Sequence, residues 1–540
     1  MRPAQRGELE SLYFNYPHFD PPSDRAHLTA PAKVVIVGAG PVGMTAALSL
    51  AQQGIASVAF EAKSTFNDGS RAICVSRSSY NLLQLLGAEK PFVEKALPWV
   101  SGRSFFRGQQ ILEFFMADSA EEKYRPMYNL EQQYIEAFLY EAVERSPLID
   151  MRWQSQVTDL REDNGVVTVS VKDSLGVYDL VADFVLAADG ARSGIRAMRG
   201  LRLKGQNYEG RYVIADIQMK RDCKVERFAL FDPESRPGGT VLLHQQPGHI
   251  WRIDYQLRDG EREEDALKED SIRASIAAVL ADVGFNEPWE LEWWSIYSAN
   301  TLALDDYRAG QIFFIGDSAH IVPIFGVRGL NNGLLDAHNI AWKLALVLKG
   351  EASQRLLDSY TPERRGATLD VFANASKSAR FMTPHSRGYS VLRDAALSLA
   401  LDHPFAGEFA NPRNMTPYTY DGSPLTRGDS DHFDCGPLPG TSALNARLEV
   451  GFLLDLFAPG FNLLVFGEVP GLEKALAVMP GLNILRQVAG SNAARVYGAS
   501  DGCAFLFRPD QHVAARWRTA NGQIIAQQIK FILEGGAIAS

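Results

Sequence analysis

The sequence predicts an α/β protein in which a glycine-marked βαβ unit near the start is completed by a strand–loop–helix segment far downstream, with an antiparallel sheet inserted between them. Three observations carry this expectation. Residues 33–37 (Lys-Val-Val-Ile-Val) read as a buried strand, followed by Gly38, Gly40 and Gly43, a helical stretch to about Gly54, and a second strand over 56–60 ending at Glu61. Residues 311–315 (Gln-Ile-Phe-Phe-Ile) are another apolar, β-favouring run, leading through Asp317 and a Gly/Pro loop into a helix. Between these, residues 201–300 change character: 240–245 and 250–257 read as strands joined at Gln246-Pro-Gly-His249, and 290–297 as a strand rich in aromatics.

In chain order, residues 1–32 are polar, with Pro17, Pro21, Pro22 and Pro31, and predict an arm lying on the surface. In the βαβ unit, Gly38 permits a tight turn, Gly40 lets backbone approach a pyrophosphate, and Gly43 lets helix pack on strand. Glu61, eighteen residues past Gly43, is placed to accept ribose hydroxyls. The loop that follows carries Arg71. A helix is expected over 76–86, stopped by Gly87, and another opens near Gln132. Residues 166–171 and 181–187 are strands, and the second ends in Asp189-Gly190-Ala-Arg192. On the strand over 250–257, Trp251, Ile253, Tyr255 and Leu257 share one face. Tyr255 and His244 are candidates for contact with a substrate, although aromatics on a strand face are more often plain core.

Asp317 falls just past a strand's C-terminal end, where open α/β sheets hold their ligands. Pro323, Gly326 and Gly329 shape the loop, Asn331 reads as the N-cap, and Leu334, Ala337, Ala341, Leu344, Ala345 and Leu348 follow at helical spacing to a stop at Gly350. A helix start of this kind suits an anion. The segment to about 401 reads as helical, 401–440 as a linker, and 441–540 as a resumed α/β pattern with strands at 461–466 and 513–517 and a closing helix.

At 540 residues two or three domains are expected. A hydrophobic content of 46% and a charged content of 22% describe an ordinary globular protein, and a net charge of −10 argues against nucleic acid or anionic membrane as partner. Cys74, Cys223, Cys435 and Cys503 form no C-x-x-C, so neither a metal nor a disulfide framework is indicated. The expected location is the cytoplasm.

These motifs resemble the FAD-dependent aromatic-ring hydroxylases of the para-hydroxybenzoate hydroxylase and phenol hydroxylase type, nearest to the hydroxyphenylpropionate hydroxylases, some of which carry a similar aromatic-and-proline arm. The resemblance implies a Rossmann-type FAD-binding domain (33–200 and 301–400), a substrate-binding sheet over 201–300, and a thioredoxin-like C-terminal domain without redox cysteines. It implies that Gly38, Gly40, Gly43, Glu61, Arg71, Gln132, Asp189, Asp317 and the Gly329-Leu330-Asn331 helix start hold FAD. It further implies a single-component monooxygenase that takes NADH or NADPH and O2 and hydroxylates a phenol through a flavin C4a-hydroperoxide; a homodimer is expected. Two departures stand out: Pro323-Ile324 replaces the usual Pro-Pro, and Arg328, a candidate for stabilising reduced flavin, stands where relatives carry Gln or Lys. The alternatives are another flavin-peroxide oxygenation, such as epoxidation or Baeyer–Villiger chemistry, or flavin binding without turnover.

Overall fold

The computed structural model describes residues 1–25, 32–258, 260–323, 327–382, 384, 386–411, 417–427, 429 and 431–536. Pro31, Ile324 and Gly326 lie outside the described residues. An eight-stranded sheet is built on parallel strands: Gly176–Ala187 lies between Ile312–Phe314 and Ala32–Val37, and the sheet continues through Ser57–Phe60 to Ile149–Arg152. Val34, Val35 and Ile36 are consecutive and all fully buried, so both faces of this sheet are covered. That is why its strands read as unbroken apolar runs rather than as alternation. Because these strands are parallel, the residues that follow them all emerge at one edge: Gly38, Glu61, Asp189 and Asp317.

The inserted sheet has eight strands, in the order His320–Ile321, Trp289–Ala303, Lys204–Met219, Ile250–Gln256, Thr240–Gln246, Arg227–Phe231, Ser101–Phe106 and Gln109–Phe115. The hairpin at residues 246–249 forms where expected, with Gly248 at φ 69°. Strands Ser101–Phe106 and Gln109–Phe115 were not anticipated. Gly102 sits where a Cβ would lie 2.6 Å from the Phe114 ring, so the glycine that makes the segment look unlike a strand is required by its packing.

One face of this sheet packs on helix Glu269–Asp282, with Val213, Ile253 and Tyr255 against Ile272, Ile276 and Val279. The other face, with Tyr212, Ala229 and Leu242, forms a second cluster with Cys74, Trp99, Met127 and Met382, onto which Val327 packs. A three-stranded sheet of Cys74–Ser76, Met127–Asn129 and Leu97–Trp99 bounds that cluster.

The tail folds around a four-stranded sheet ordered Asn483–Gln487, Asn462–Phe466, Ala504–Phe507 and Val513–Trp517, with helix Gly522–Leu533 packed into the same core as Trp342 and Leu346. Cys435 and Cys503 are free, the first exposed and the second buried. The N-terminal arm is more than a surface strap. Phe19 stacks on Trp153 at 4.1 Å, and the nearly buried Arg2 side chain pairs with Glu292 at 2.5 Å and with Asp68 at 2.7 Å. The prolines mark its lack of regular structure; its aromatics and arginines bind it into a seam.

Candidate functional site

The first helix, Pro41–Gln52, starts at Gly40 with no side-chain cap, leaving its leading N–H groups open to a ligand. Gly38 has φ +100°, and a Cβ there would lie 2.5 Å from the carbonyl oxygen of Ala188; at Gly43 it would lie 1.9 Å from the carbonyl oxygen of Gly38. Both glycines are therefore consumed by backbone contact inside the fold. A Cβ on Gly40 meets nothing within 4 Å, so Gly40 faces open space at the helix start. Glu61 accepts hydrogen bonds from the N–H of Ala39 at 2.9 Å and of Lys63 at 3.0 Å, which aims its carboxylate back across the glycine turn.

Asp189 accepts from the N–H of Ile195 at 3.0 Å through Oδ2, while its buried Oδ1 has no partner among the described residues. Asp317 is exposed, yet desolvation raises its pKa, with His320 and Arg71 opposing. A side chain both accessible to water and surrounded by protein lines a cleft rather than the outer surface. The turn that carries it is pinned from behind. Asp336 accepts from the N–H of Gly316 at 3.1 Å, pairs with His320 Nε2 at 2.6 Å, and accepts from Arg364 Nε at 2.7 Å. Burial alone would raise the Asp336 pKa, but His320 and Arg364 hold it below the usual carboxylate range.

The second helix is Gly329–Leu348, and Gly333 and Gly316 both close on Val42, so the two helix starts converge. Asn331 is not the N-cap. The helix begins two residues earlier, after Arg328, and has no side-chain cap. Asn331 is fully buried; its Oδ1 accepts from the N–H of Ser76 at 2.9 Å and from Ser79 Oγ at 2.7 Å, and its Nδ2 donates to the carbonyls of Cys74 at 3.1 Å and Val327 at 2.7 Å. It fastens the helix start to the strand Cys74–Ser76. The leading N–H groups at Gly329 and Leu330 are thus left uncapped, which suits an anionic ring edge better than a side-chain cap would.

Arg71 is exposed, and the field of its guanidinium reaches Asp317. Gln132 opens helix Gln132–Glu144; its Oε1 accepts from the N–H of Ala72 at 3.1 Å and its Nε2 donates to Glu136 at 2.7 Å, so it braces the Arg71 loop. Arg328 is buried, with its pKa lowered by desolvation against the pull of Asp370. His244 and Tyr255 point to opposite faces of the inserted sheet. Tyr255 packs against helix Glu269–Asp282 with the Arg236 guanidinium over its ring at 4.4 Å, away from the face that meets Val327. His244 shares the other face with Leu242, and is held neutral by burial and by the nearby Arg227 and Arg252.

Bare helix starts and strand-end acids of this kind fit a dinucleotide with a charged ring. The family model described as the FAD binding domain matches residues 31–375. The chain is 30% identical over 400 residues to the 3-(3-hydroxy-phenyl)propionate/3-hydroxycinnamic acid hydroxylase of Burkholderia cenocepacia (strain HI2424), covering 74% of this chain and 72% of that protein. The chain belongs to the FAD-dependent aromatic hydroxylases.

A hydroxylase of the same printed name from Klebsiella pneumoniae subsp. pneumoniae is 28% identical over 371 residues, 67% of this chain and 64% of its own, so the match spans less than two thirds of that relative. The rebeccamycin biosynthetic enzyme RebC with reduced flavin shares the fold at a TM-score of 0.76 and 23% identity, covering 94% of this chain and all of that one. In this chain the expected α/β architecture with its inserted sheet and C-terminal domain is present. Among the described residues no helix is long and apolar enough to cross a membrane.

Sequence reasoning missed Asp336, His320 and Arg364 as the brace behind Asp317. The signal the sequence offered was a polar stripe, Asn332, Asp336, Asn339 and Lys343 at helical spacing, on a helix that is otherwise mostly apolar.

Proposed function

We propose that this chain is a single-component monooxygenase that uses FAD, NADH or NADPH, and O2 to place one oxygen atom on a phenolic ring, working in the cytoplasm as a homodimer. The observation that carries this reading is the convergence of two uncapped helix starts and three strand-end carboxylates on one cleft. The inserted sheet turns Tyr212, Ala229 and Leu242 toward the side on which Val327 packs. The printed names of the Burkholderia and Klebsiella relatives support a phenolic substrate.

When bound, FAD would supply hydride acceptance and oxygen activation. The chain's residues supply the rest. Asp317, Glu61 and Asp189 accept hydrogen bonds from sugar and ribitol hydroxyls, and the Gly40 helix start receives the pyrophosphate with Arg71 nearby. The Gly329–Leu330 helix start, beside Arg328, favours negative charge on a reduced ring. Trp99, Met127, Tyr212 and Leu242, clustered on the inner side of the inserted sheet, would supply the apolar surface that keeps water from the ring to be oxidised. His244, held neutral, can give or take a hydrogen bond at that surface. The test is NAD(P)H oxidation by the FAD-loaded protein with and without a panel of phenols. Stimulation by a phenol, with a hydroxylated product, is expected; NAD(P)H oxidation indifferent to every phenol contradicts the reading.

A further inference from the structure

The loop over residues 67–72 carries Arg71, and each of its residues is fastened from behind. Helix Gln132–Glu144 holds its two ends. Asn67 donates to Glu136 at 2.8 Å from both its N–H and its Nδ2, and the N–H of Ala72 donates to Gln132 at 3.1 Å. The inserted sheet holds the far side: Ser70 Oγ donates to Asp216, and Arg252 donates to the carbonyls of Ser70 and Arg71. The third support is the N-terminal arm, which lies before residue 31, where the match to the FAD binding domain begins.

The arm grips the middle of the loop. Arg2 Nη2 donates to Asp68 at 2.7 Å and Arg2 Nη1 to Glu292 at 2.5 Å, with the two side chains of that second pair only 4% and 1% exposed. Arg2 is thus a buried fork set between the loop and the strand Trp289–Ala303. Tyr16 adds a second hold: its hydroxyl donates to Asp68 at 3.2 Å and accepts from the N–H of Gly69 at 3.3 Å. The arm is itself fixed on both sides. Glu292 also accepts from Arg6 at 2.8 Å and from the N–H of Leu12 at 2.9 Å, and Phe14 meets the Tyr134 ring edge-on at 5.2 Å.

Gly69, at φ +80°, is where such a loop has most conformational freedom, and it is the point the arm holds. The Arg71 side chain is exposed, and it is a long cation that must lose rotamer freedom to grip an anion. A backbone already fixed beneath it lowers what remains to be ordered when the anion arrives. We infer that Arg2, with Tyr16, is a positioning residue for FAD: it fixes Asp68 and Gly69 so that Arg71 is presented to the cofactor's phosphates. The inference rests on the reading of Arg71 as a phosphate contact, and not on the fate of oxygen.

The test is a double-mutant cycle read as FAD affinity, by fluorescence titration of the full-length apoprotein. Arg71→Ala is expected to weaken FAD by about tenfold and Arg2→Gln by about three- to fivefold. The variant carrying both is expected to bind no more weakly than Arg71→Ala alone, because Arg2 acts only through Arg71. Arg2→Lys is expected to recover part of the loss. Tyr16→Phe, which keeps the ring and removes only the hydroxyl, is expected to weaken FAD in the wild type and to change nothing in Arg71→Ala. Glu292 keeps Arg6 and Leu12 as partners in Arg2→Gln, and Tyr16→Phe decides the matter should that variant not fold.

Wild-type FAD affinity in Arg2→Gln overturns the inference. Losses that add in the double variant overturn it too, while leaving Arg71 as a phosphate contact. Unchanged affinity in Arg71→Ala removes that contact and the inference with it. No turnover enters the titration, so a failure to hydroxylate phenols leaves the inference standing.

Discussion

Among the strand-end acids Glu61, Asp189 and Asp317, Asp317 is the one that is both exposed and has its pKa raised by desolvation, and we propose that it holds FAD. Asp317→Ala removes one charged acceptor and is expected to weaken FAD binding by about 1–3 kcal/mol, measured by fluorescence titration of the apoprotein. Unchanged affinity contradicts the assignment. The position of Asp317 was legible because an acid after an apolar strand is a local pattern. Asn331 shows the limit. A polar residue at a helix start reads as a cap, but its partners Cys74 and Ser76 lie about 255 residues away in the chain. No local spacing announces them. Tyr255 fails for a related reason: alternation tells which side chains share a strand face, not which face meets the cofactor loop.

At the scale of elements, the glycine turn before helix Pro41–Gln52 separates fold from function. A Cβ at Gly43 collides with backbone, whereas a Cβ at Gly40 meets only open space. Gly43→Ala is therefore expected to destabilise the protein by about 1–3 kcal/mol, seen in urea denaturation without cofactor. Gly40→Ala is expected to leave that stability within about 0.5 kcal/mol and to weaken FAD binding, because the added methyl occupies the approach of the pyrophosphate. The reverse pattern contradicts the placement of the phosphates. The fingerprint made this turn readable from sequence, since each glycine sits at a fixed distance from strand and helix. Strands Ser101–Phe106 and Gln109–Phe115 were not readable, because they join the inserted sheet from a distant part of the chain and Gly102 masks their pattern.

Across the whole molecule, a buried polar network joins the tail to helix Gly329–Leu348. Arg508 forks onto Glu363 at 2.6 and 2.8 Å, Lys343 donates to Glu363 at 2.6 Å, and Asn339 donates to Asp510 at 3.0 Å. Burial alone would raise the Glu363 pKa, but Arg508 and Lys343 hold it below the usual carboxylate value. A depressed pKa contributes stability that is present above the unfolded value, near about 4.3, and is lost as pH falls below it. Glu363→Gln leaves two buried cations short of a counter-charge and is expected to cost about 3–5 kcal/mol near neutral pH. Its loss of stability on acidification should be smaller than that of the wild type. Chemical denaturation from pH 7 to pH 3 checks both; equal stability and equal acid slopes contradict the network's role. The chain length led to an expectation of two or three domains, but not of a tail tied to helix Gly329–Leu348, since Arg508 and Glu363 meet only in the fold.

The reading of the molecule as a whole is that one cleft keeps water away while oxygen is delivered to a phenolic ring. Mass spectrometry of the product formed under ¹⁸O₂ tests this most directly. The account predicts one labelled oxygen atom on the ring of the phenolic product, formed as NAD(P)H is consumed. Label found only in hydrogen peroxide, while FAD-loaded protein consumes NAD(P)H across a broad panel of phenols and phenolic acids, would contradict it.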